Sequence, residues 1–427
     1  MSDFTPSRGT RDLLPPDGGV MRALYDRAAE IARLHGFRYV ETPGFEATEL
    51  FARTSGATSD VVSKEMYTFT DRGDRSLTLR PEGTAPVVRA YLGDQQRLGA
   101  PFKAYYLTRM YRYSRPQAGR YREHRQFGVE VLGTDAPGAD VEVMVVGDAL
   151  LRSLGLSRYH VQINSLGDET CRPAYREALI AYLRAHRDEL RDEHKDRFEE
   201  NPLRVLDCKD DACRAVAANA PAMLDHLCDD CRAAFETVEE GLAAAGVAAV
   251  RTPTLVRGLD YYTRTAFEFV SDAMQETGNQ QQSTLFGGGR YDGLAEALGG
   301  PRVPGVGFGM GLERVLLALV DEGVRPPVEP PLAVFVVALG DEARSAGSAL
   351  VSDLRGAGVS ADTAYEERPL KAQLKMADRG EARFAAIIGS DELAAGTVSL
   401  RRLEDGTQET VALAEVAGRV ATDGGAR

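Results

Sequence analysis

Residues 103–133 read KAYYLTRMYRYSRPQAGRYREHRQFGVEVLG, two alternating stretches separated by a loop that holds Pro116 and Gly119. Period-two alternation on both sides of such a loop predicts a β-hairpin with a long connection. From Arg109 to Arg125 the segment carries six arginines and one acid, Glu123. On the second strand the same period sets His124, Gln126, Gly128, Glu130 and Leu132 on one face. Burying Gln126 and Glu130 is costly unless a ligand or partner satisfies them. Two readings stand side by side. In one, the arginines take phosphate while Gln126 and Glu130 take a small polar group. In the other, the hairpin is a solvated edge with surface arginines.

Upstream, LTLRPEGTAPVVRAYL (77–92) ends a strand, turns at RPEGT and opens a helix, with Thr84 the expected N-cap. Glu82 and Thr84 then lie where a strand end meets a helix start. Downstream, TLFGGGRYDGLAEALGG (284–300) sets three glycines before Arg290, Tyr291 and Asp292. VPGVGFGMGLERVLLAL (303–319) alternates glycine through a strand and opens a helix carrying Glu313 and Arg314. Glycine runs admit close approach of a ligand or strand to the backbone. Neither segment has P-loop or dinucleotide-fingerprint spacing, so a nucleotide here is held by another architecture. LVRGLDYYTRTAFEFV (255–270) puts polar side chains into an apolar strand. Period two there pairs Tyr262 with Arg264 on one face and Tyr261 with Thr263 on the other, while Arg257–Tyr262 spans the bend from loop into strand, where both tyrosines can approach one pocket.

Three regions and a module follow along the chain. Residues 1 to about 165 mix helices with alternating strands. Residues about 166–246 read as amphipathic helix and carry Cys208, Cys213, Cys228 and Cys231. From about 250 to 322 strands and glycine turns return, and VRPPVEPP (324–331) is a stiff, helix-incompatible linker. Beyond it, LAVFVVALG, DEARSAGSALVSDLRGAG, VSADT, PLKAQLKMADRG and RFAAIIG run β-α-β-α-β. That order predicts a small, mostly parallel α/β domain.

The 427 residues have 43% hydrophobic and 27% charged content and a net charge of −13. This is an ordinary globular composition, and the overall charge argues against non-specific nucleic-acid binding. No window reaches the apolar length of a membrane span, and the N-terminal stretch has no apolar signal region. Five cysteines in so long a chain make no disulfide framework, so a reducing cytoplasm is the expected location.

Together and in order, these segments resemble the class II aminoacyl-tRNA synthetases. GFRYVETPGFEATELF, with Pro43 at its centre, is similar to motif 1, the arginine hairpin to motif 2, and GVGFGMGLERVLL to motif 3. LVRGLDYYTRTAFE and GGGRYDGL resemble the two signatures of the histidyl-tRNA synthetase family, and the likeness runs the full length. The resemblance implies an α+β class II catalytic domain, an antiparallel sheet with flanking helices, over residues 1–325. It also implies a helical insertion at about 168–248 and a C-terminal α/β anticodon-binding domain over 331–427. That domain's own charge lends no support, with eleven Lys/Arg against fifteen Asp/Glu.

What the resemblance implies is activation of L-histidine by ATP, with Mg²⁺, and transfer to the 3′ end of tRNA(His) by a symmetric homodimer. Arg112, Arg257 and Arg314 are then the catalytic arginines and, with Arg120, hold ATP. Arg257 supplies fixed charge near the α-phosphate, and Arg314 clamps the γ-phosphate end. Glu82, Gly83, Thr84, Gln126, Glu130, Tyr261, Tyr262 and Tyr291 line the histidine site, Glu82 favouring the ammonium and Glu130 the imidazole N–H. No metal ligand is assigned among them. A catalytically silent regulatory paralogue of ATP phosphoribosyltransferase is the alternative. It lacks the C-terminal module and tends to lose the arginines that are present here. A tRNA-binding protein without activation chemistry leaves the amino-acid pocket unexplained.

The spacing C-x4-C then C-x2-C at Cys208, Cys213, Cys228 and Cys231 is compatible with zinc. Against it, APAMLDHLCDDCRAAFETVEEGL reads as one continuous helix, whereas zinc knuckles sit in turns. Cys171 is expected to be plain core, and His124 a loop or tRNA contact.

Overall fold

The computed structural model describes residues 4–54, 61–208, 210–257, 261–277 and 283–422. The chain divides into two units, Met1–Val328 and Glu329–Arg427. The strands of the first, in chain order, are β1 (Arg38–Tyr39), β2 (Phe45–Ala47), β3 (Tyr67–Thr70), β4 (Ser76–Leu79), β5 (Phe102–Tyr111) and β6 (Glu123–Leu132). They continue with β7 (Tyr159–Ser165), β8 (Ala249–Arg251), β9 (Thr263–Ser271), β10 (Thr284–Arg290) and β11 (Gly305–Gly311). One sheet runs β1-β5-β6-β11-β10-β9-β7-β8, and β2-β4-β3 form a second. From β5 to β7 every pairing is antiparallel, and only β1 on β5 and β8 on β7 are parallel. With helices against these mixed sheets the unit is α+β.

The arginine-rich hairpin is β5 and β6, paired from Phe102↔Leu132 to Tyr111↔Glu123 with residues 112–122 between them. Its buried side continues into an aromatic core in which Phe127, Phe269, Phe286 and Phe308 touch, Phe269 and Phe286 stacked 4.3 Å apart. Burying each such ring is worth about 1.5–3 kcal/mol. The helix Pro137–Ser153 lies over this layer, and a Cβ on its Gly147 would sit 2.6 Å from Phe286. Below it Arg290 and Asp140, both almost fully buried, form an ion pair that also takes in Asp292 at 3.2 Å.

Between β7 and β8 the described chain is helical, led by Arg172–Ala185, Asp211–Ala217 and Asp229–Ala244. The continuous helix expected from Ala220 through the cysteine pair does not form. A 3₁₀ turn at Met223–His226 ends, Leu227 and Cys228 are extended, and a helix starts afresh at Asp229. Asp229 and Asp230 occupy its first turn, where the helix dipole favours acids. The sequence CDDC therefore marks a helix start.

The second unit has β12 (Val334–Ala338), β13 (Ala361–Thr363), β14 (Phe384–Ile388), β15 (Thr397–Arg402) and β16 (Gln408–Ala412) in the order β13-β12-β14-β15-β16. The first three strands are parallel, as the β-α-β alternation predicts. β15 and β16 add an antiparallel hairpin that the charged segment RRLEDGTQET conceals, turning at Gly406 with φ +74. The sheet is thus mixed rather than mostly parallel.

Candidate active site

The glycines of β11 explain how the polar residues of β6 are accommodated. Gly307 pairs with Glu130, and Gly309 with Gly128. A Cβ on Gly307 would collide with the Glu130 carboxylate, and one on Gly309 with the Gln126 amide. Cβ atoms on Gly83 or Gly128 would likewise strike the Tyr106 ring. Side chains from one strand thus lie flat across the bare backbone of its neighbours, which only glycine permits.

Over this floor Glu130, with no exposed surface, accepts hydrogen bonds from Thr84 Oγ1 at 2.7 Å and from the Tyr291 hydroxyl. Thr84 is not the N-cap of its helix, Thr84–Gly93; Gly83 holds that position without a side chain to offer. The Glu82 carboxylate does the capping, accepting from Thr84 N at 2.7 Å and Ala85 N at 3.1 Å. Burial pushes Glu82 up to about 7, against the pull of those N–H groups and of Arg112. Burial carries Glu130 to about 8, with its hydroxyl partners opposing and Glu82 reinforcing the rise. The rings of Tyr261 and Tyr262 are 4.6 Å apart, and Tyr261 stands edge-on to Tyr291 at 5.7 Å. Gln126 Oε1 and the Tyr106 hydroxyl are buried without a hydrogen-bond partner among the described residues. Period two fails at the start of β9, because Arg264 has φ +47 and the register against β10 shifts there. Both tyrosines therefore reach the same pocket. Gly258, Leu259 and Asp260, from the same stretch, lie outside the described residues.

The other end of the sheet collects arginines. Arg112 follows β5 and donates through Nε to Pro81 O at 2.7 Å. Arg120 closes a turn with Gln117, and the adjoining Gly119, at φ +68, rests on Leu317 and Arg314. Arg314 donates to Thr284 O at 2.6 Å. Arg257 is ion-paired with Glu268 of β9, whose second oxygen accepts from Thr284 Oγ1 at 3.0 Å. Arg257 and Arg314 thus meet around one residue of β10. Arg257 also lies 5.7 Å from the Tyr262 ring centre and against Gly287.

The electrostatics register this crowding. Burial, then Arg112, Arg314 and Arg120, hold His124 down to about 3, so it is neutral and no proton donor near pH 7. Burial, Arg120, Arg112 and Arg257 depress Arg314 itself to about 10, with Glu268 opposing. Among the described residues no carboxylate lies within ion-pair distance of Arg112, Arg120 or Arg314. The remaining hairpin arginines divide differently. Arg125 is buried and bound to Glu313, whose carboxylate also takes the Arg125 N–H at 3.0 Å. Arg109 pairs with Glu123, and Arg122 covers the Tyr113 ring at 3.7 Å.

The residues expected to line a histidine site lie together in the first group, and the four arginines expected to hold ATP lie together in the second. Sequence reasoning missed Glu268, Tyr106 and the Arg125–Glu313 tie. A lone acid inside the apolar run TAFEFV was the available signal for Glu268.

An antiparallel sheet with a glycine face, an acid-and-tyrosine pocket at one end and a cluster of arginines at the other is the plan of a class II aminoacyl-tRNA synthetase. Residues 9–315 match the family model for histidyl-tRNA synthetase, and residues 333–422 match that for an anticodon binding domain. The chain belongs to the histidyl-tRNA synthetase family. It is 52% identical to the histidine–tRNA ligase of Moorella thermoacetica, covering 96% of both chains. It is 46% identical to that of Caldanaerobacter subterraneus subsp. tengcongensis, over 96% of this chain and 97% of the other. The structure of apo histidyl-tRNA synthetase from S. aureus superposes with a TM-score of 0.81 at 37% identity, over 98% and 99% of the two chains.

Proposed function

We infer that the protein activates L-histidine with ATP and passes it to the 3′ end of tRNA(His). The supporting observation is the position of Arg257, which touches both ends of the site. It neighbours the pocket ring of Tyr262 and is ion-paired with Glu268, which accepts from the hydroxyl of Thr284, the residue whose carbonyl takes a hydrogen bond from Arg314.

Histidine enters with its ammonium toward Glu82 and its imidazole toward Gln126 and Glu130, between Tyr261, Tyr262 and Tyr291. Glu82 Oε1 and both Glu130 oxygens accept one hydrogen bond each, which leaves a lone pair on each of them for the substrate. The substrate carboxylate then attacks the α-phosphorus of ATP and diphosphate leaves, giving histidyl-adenylate. A carboxylate needs no general base, so the step rests on alignment and on fixed positive charge at the phosphates. Arg112 and Arg257 act at the α-phosphate, Arg314 and Arg120 toward the leaving end. ATP would enter as its Mg²⁺ complex, the ion supplying neutralisation of phosphate charge. The nearby acids Glu123, Glu268 and Glu313 are already engaged by Arg109, Arg257 and Arg125. In the second step a hydroxyl of the tRNA's terminal adenosine attacks the mixed anhydride and AMP leaves.

Residues 1–325 serve as catalytic domain, with the insertion at about 168–248, and residues 331–427 as anticodon-binding domain. The working form is a cytoplasmic homodimer joined through the motif 1 segment, where Tyr39 is exposed and an exposed Phe45 lies against Phe69. No helix among the described residues is long and apolar enough to cross a membrane. The regulatory-paralogue reading is not favoured, because the ATP-site arginines and the C-terminal unit are both present. ATP–diphosphate exchange, assayed with each standard amino acid in turn, tests the reading. Exchange with histidine alone is expected; histidine binding without exchange would refute it.

A further inference from the structure

The fold separates the two cysteine pairs and supplies different companions to each. Cys208 and Cys213 group with His194, three donors in all. Cys228 and Cys231 instead meet Cys171 and Asp168, and one ligand atom from each of these four lies within 4.8 Å of all the others. Cys171, expected to be plain core, sits at the N-cap of the helix Arg172–Ala185, and Cys228 at the N-cap of Asp229–Ala244. Cys231, in the first turn of the latter, faces the same way as Cys228. Asp168 belongs to the turn leaving β7, and the turn is shaped to bring its carboxylate back. Gly167 has φ +64, and a Cβ there would lie 2.7 Å from Cys171 Sγ.

The spacings are those of a coordination shell. Cys171 Sγ is 3.4 Å and Cys228 Sγ 3.9 Å from Asp168 Oδ1. For Zn–S of ~2.3 Å and Zn–O of ~2.0 Å, a tetrahedral sulfur–oxygen edge is about 3.5 Å. The Asp168 N–H points at Cys171 Sγ from 3.3 Å, and Arg264 stands 3.6 Å from the carboxylate. Both, with two helix N-termini, offset the negative charge of three thiolates and an acid. A disulfide would use only two of these sulfurs and leave the carboxylate unexplained.

We propose that Asp168, Cys171, Cys228 and Cys231 form a closed tetrahedral site for zinc, which fastens the entrance of the helical insertion to the start of its last long helix. Four protein donors with no open position make the site structural. The ion would tie the turn after β7 to the helix that returns toward β8, next to Arg264 at the head of the strand that follows Tyr261 and Tyr262.

The test uses the full chain, purified reduced and without a chelating tag, with Cys208 and Cys213 both changed to Ser so that the other group is silent. About one equivalent of bound zinc is expected, and cobalt replacing it should show tetrahedral ligand-field bands with thiolate charge transfer. Adding Cys228→Ser or Asp168→Ala should weaken binding by more than the ~10–100-fold that follows loss of an outer-shell partner. The unsubstituted chain, titrated with cobalt, gives the same reading should the variants fail to fold. Its first equivalent should carry the charge-transfer intensity of three thiolates. Absence of metal and of cobalt bands in the reduced chain overturns the proposal. So does a Cys228–Cys231 disulfide in the metal-free protein as isolated, or unchanged affinity in Cys228→Ser.

Discussion

At the scale of single residues the site runs on two opposed electrostatic devices. One end raises carboxylates by burial; the other crowds guanidinium groups until one of them is depressed. Replacing Arg257 by Ala removes charge that acts on the developing transition state, so kcat for exchange should fall about 10²–10³-fold while the histidine KM changes far less. Steady-state exchange kinetics measure that split. Glu130, pushed up to about 8 by burial, accepts an imidazole N–H more strongly as a carboxylate than as an acid, so binding lowers its pKa. Affinity for histidine should therefore rise as pH climbs from 7 to about 8.5, above the substrate imidazole's own pKa of about 6.5. In Glu130→Gln this limb should shrink to the lower part that Glu82, pushed up to about 7, contributes. Calorimetric titration across that range decides the matter.

Among elements, the glycine strands matter most. Gly307→Ala should abolish histidine activation, because the new methyl takes the space of the Glu130 carboxylate. Circular dichroism should report a folded chain, and exchange at high histidine concentration should not recover. Much of this layout was legible beforehand. Alternation and arginines disclosed the hairpin, and the Gly-Gly-Gly and Gly-x-Gly runs marked where chains approach closely. What the sequence did not disclose includes local departures from regular period. Arg264 in the left-handed region breaks the pleat of β9, and the extended Leu227–Cys228 breaks a helix that composition alone favours. Glu82 capping a helix in place of Thr84 is a further instance: residue type located the cap region, but only the bend at Gly83 decided which side chain reached it. Glu268 and Tyr106 went unread because their partners are remote in sequence.

For the whole molecule, the exposed rings of motif 1 supply the argument for assembly. Phe45 and Phe69 contact edge-on at 6.2 Å while each remains about half exposed, at 52% and 42%. Phe45→Glu should convert a dimer to a monomer in sedimentation-velocity runs, without loss of secondary structure. The C-terminal unit has a hydrophobic core of its own, built on Val334, Val336, Leu350 and Ile388. The helical insertion is arranged differently, since it leaves the body at Asp168 and is back beside it at Cys228, 3.9 Å away. The stretch from Asp168 to Cys228, whose two ends meet, is a side loop on the chain's path. Its length and content can be revised, copy by copy through descent, while the catalytic sheet it hangs from stays where it was.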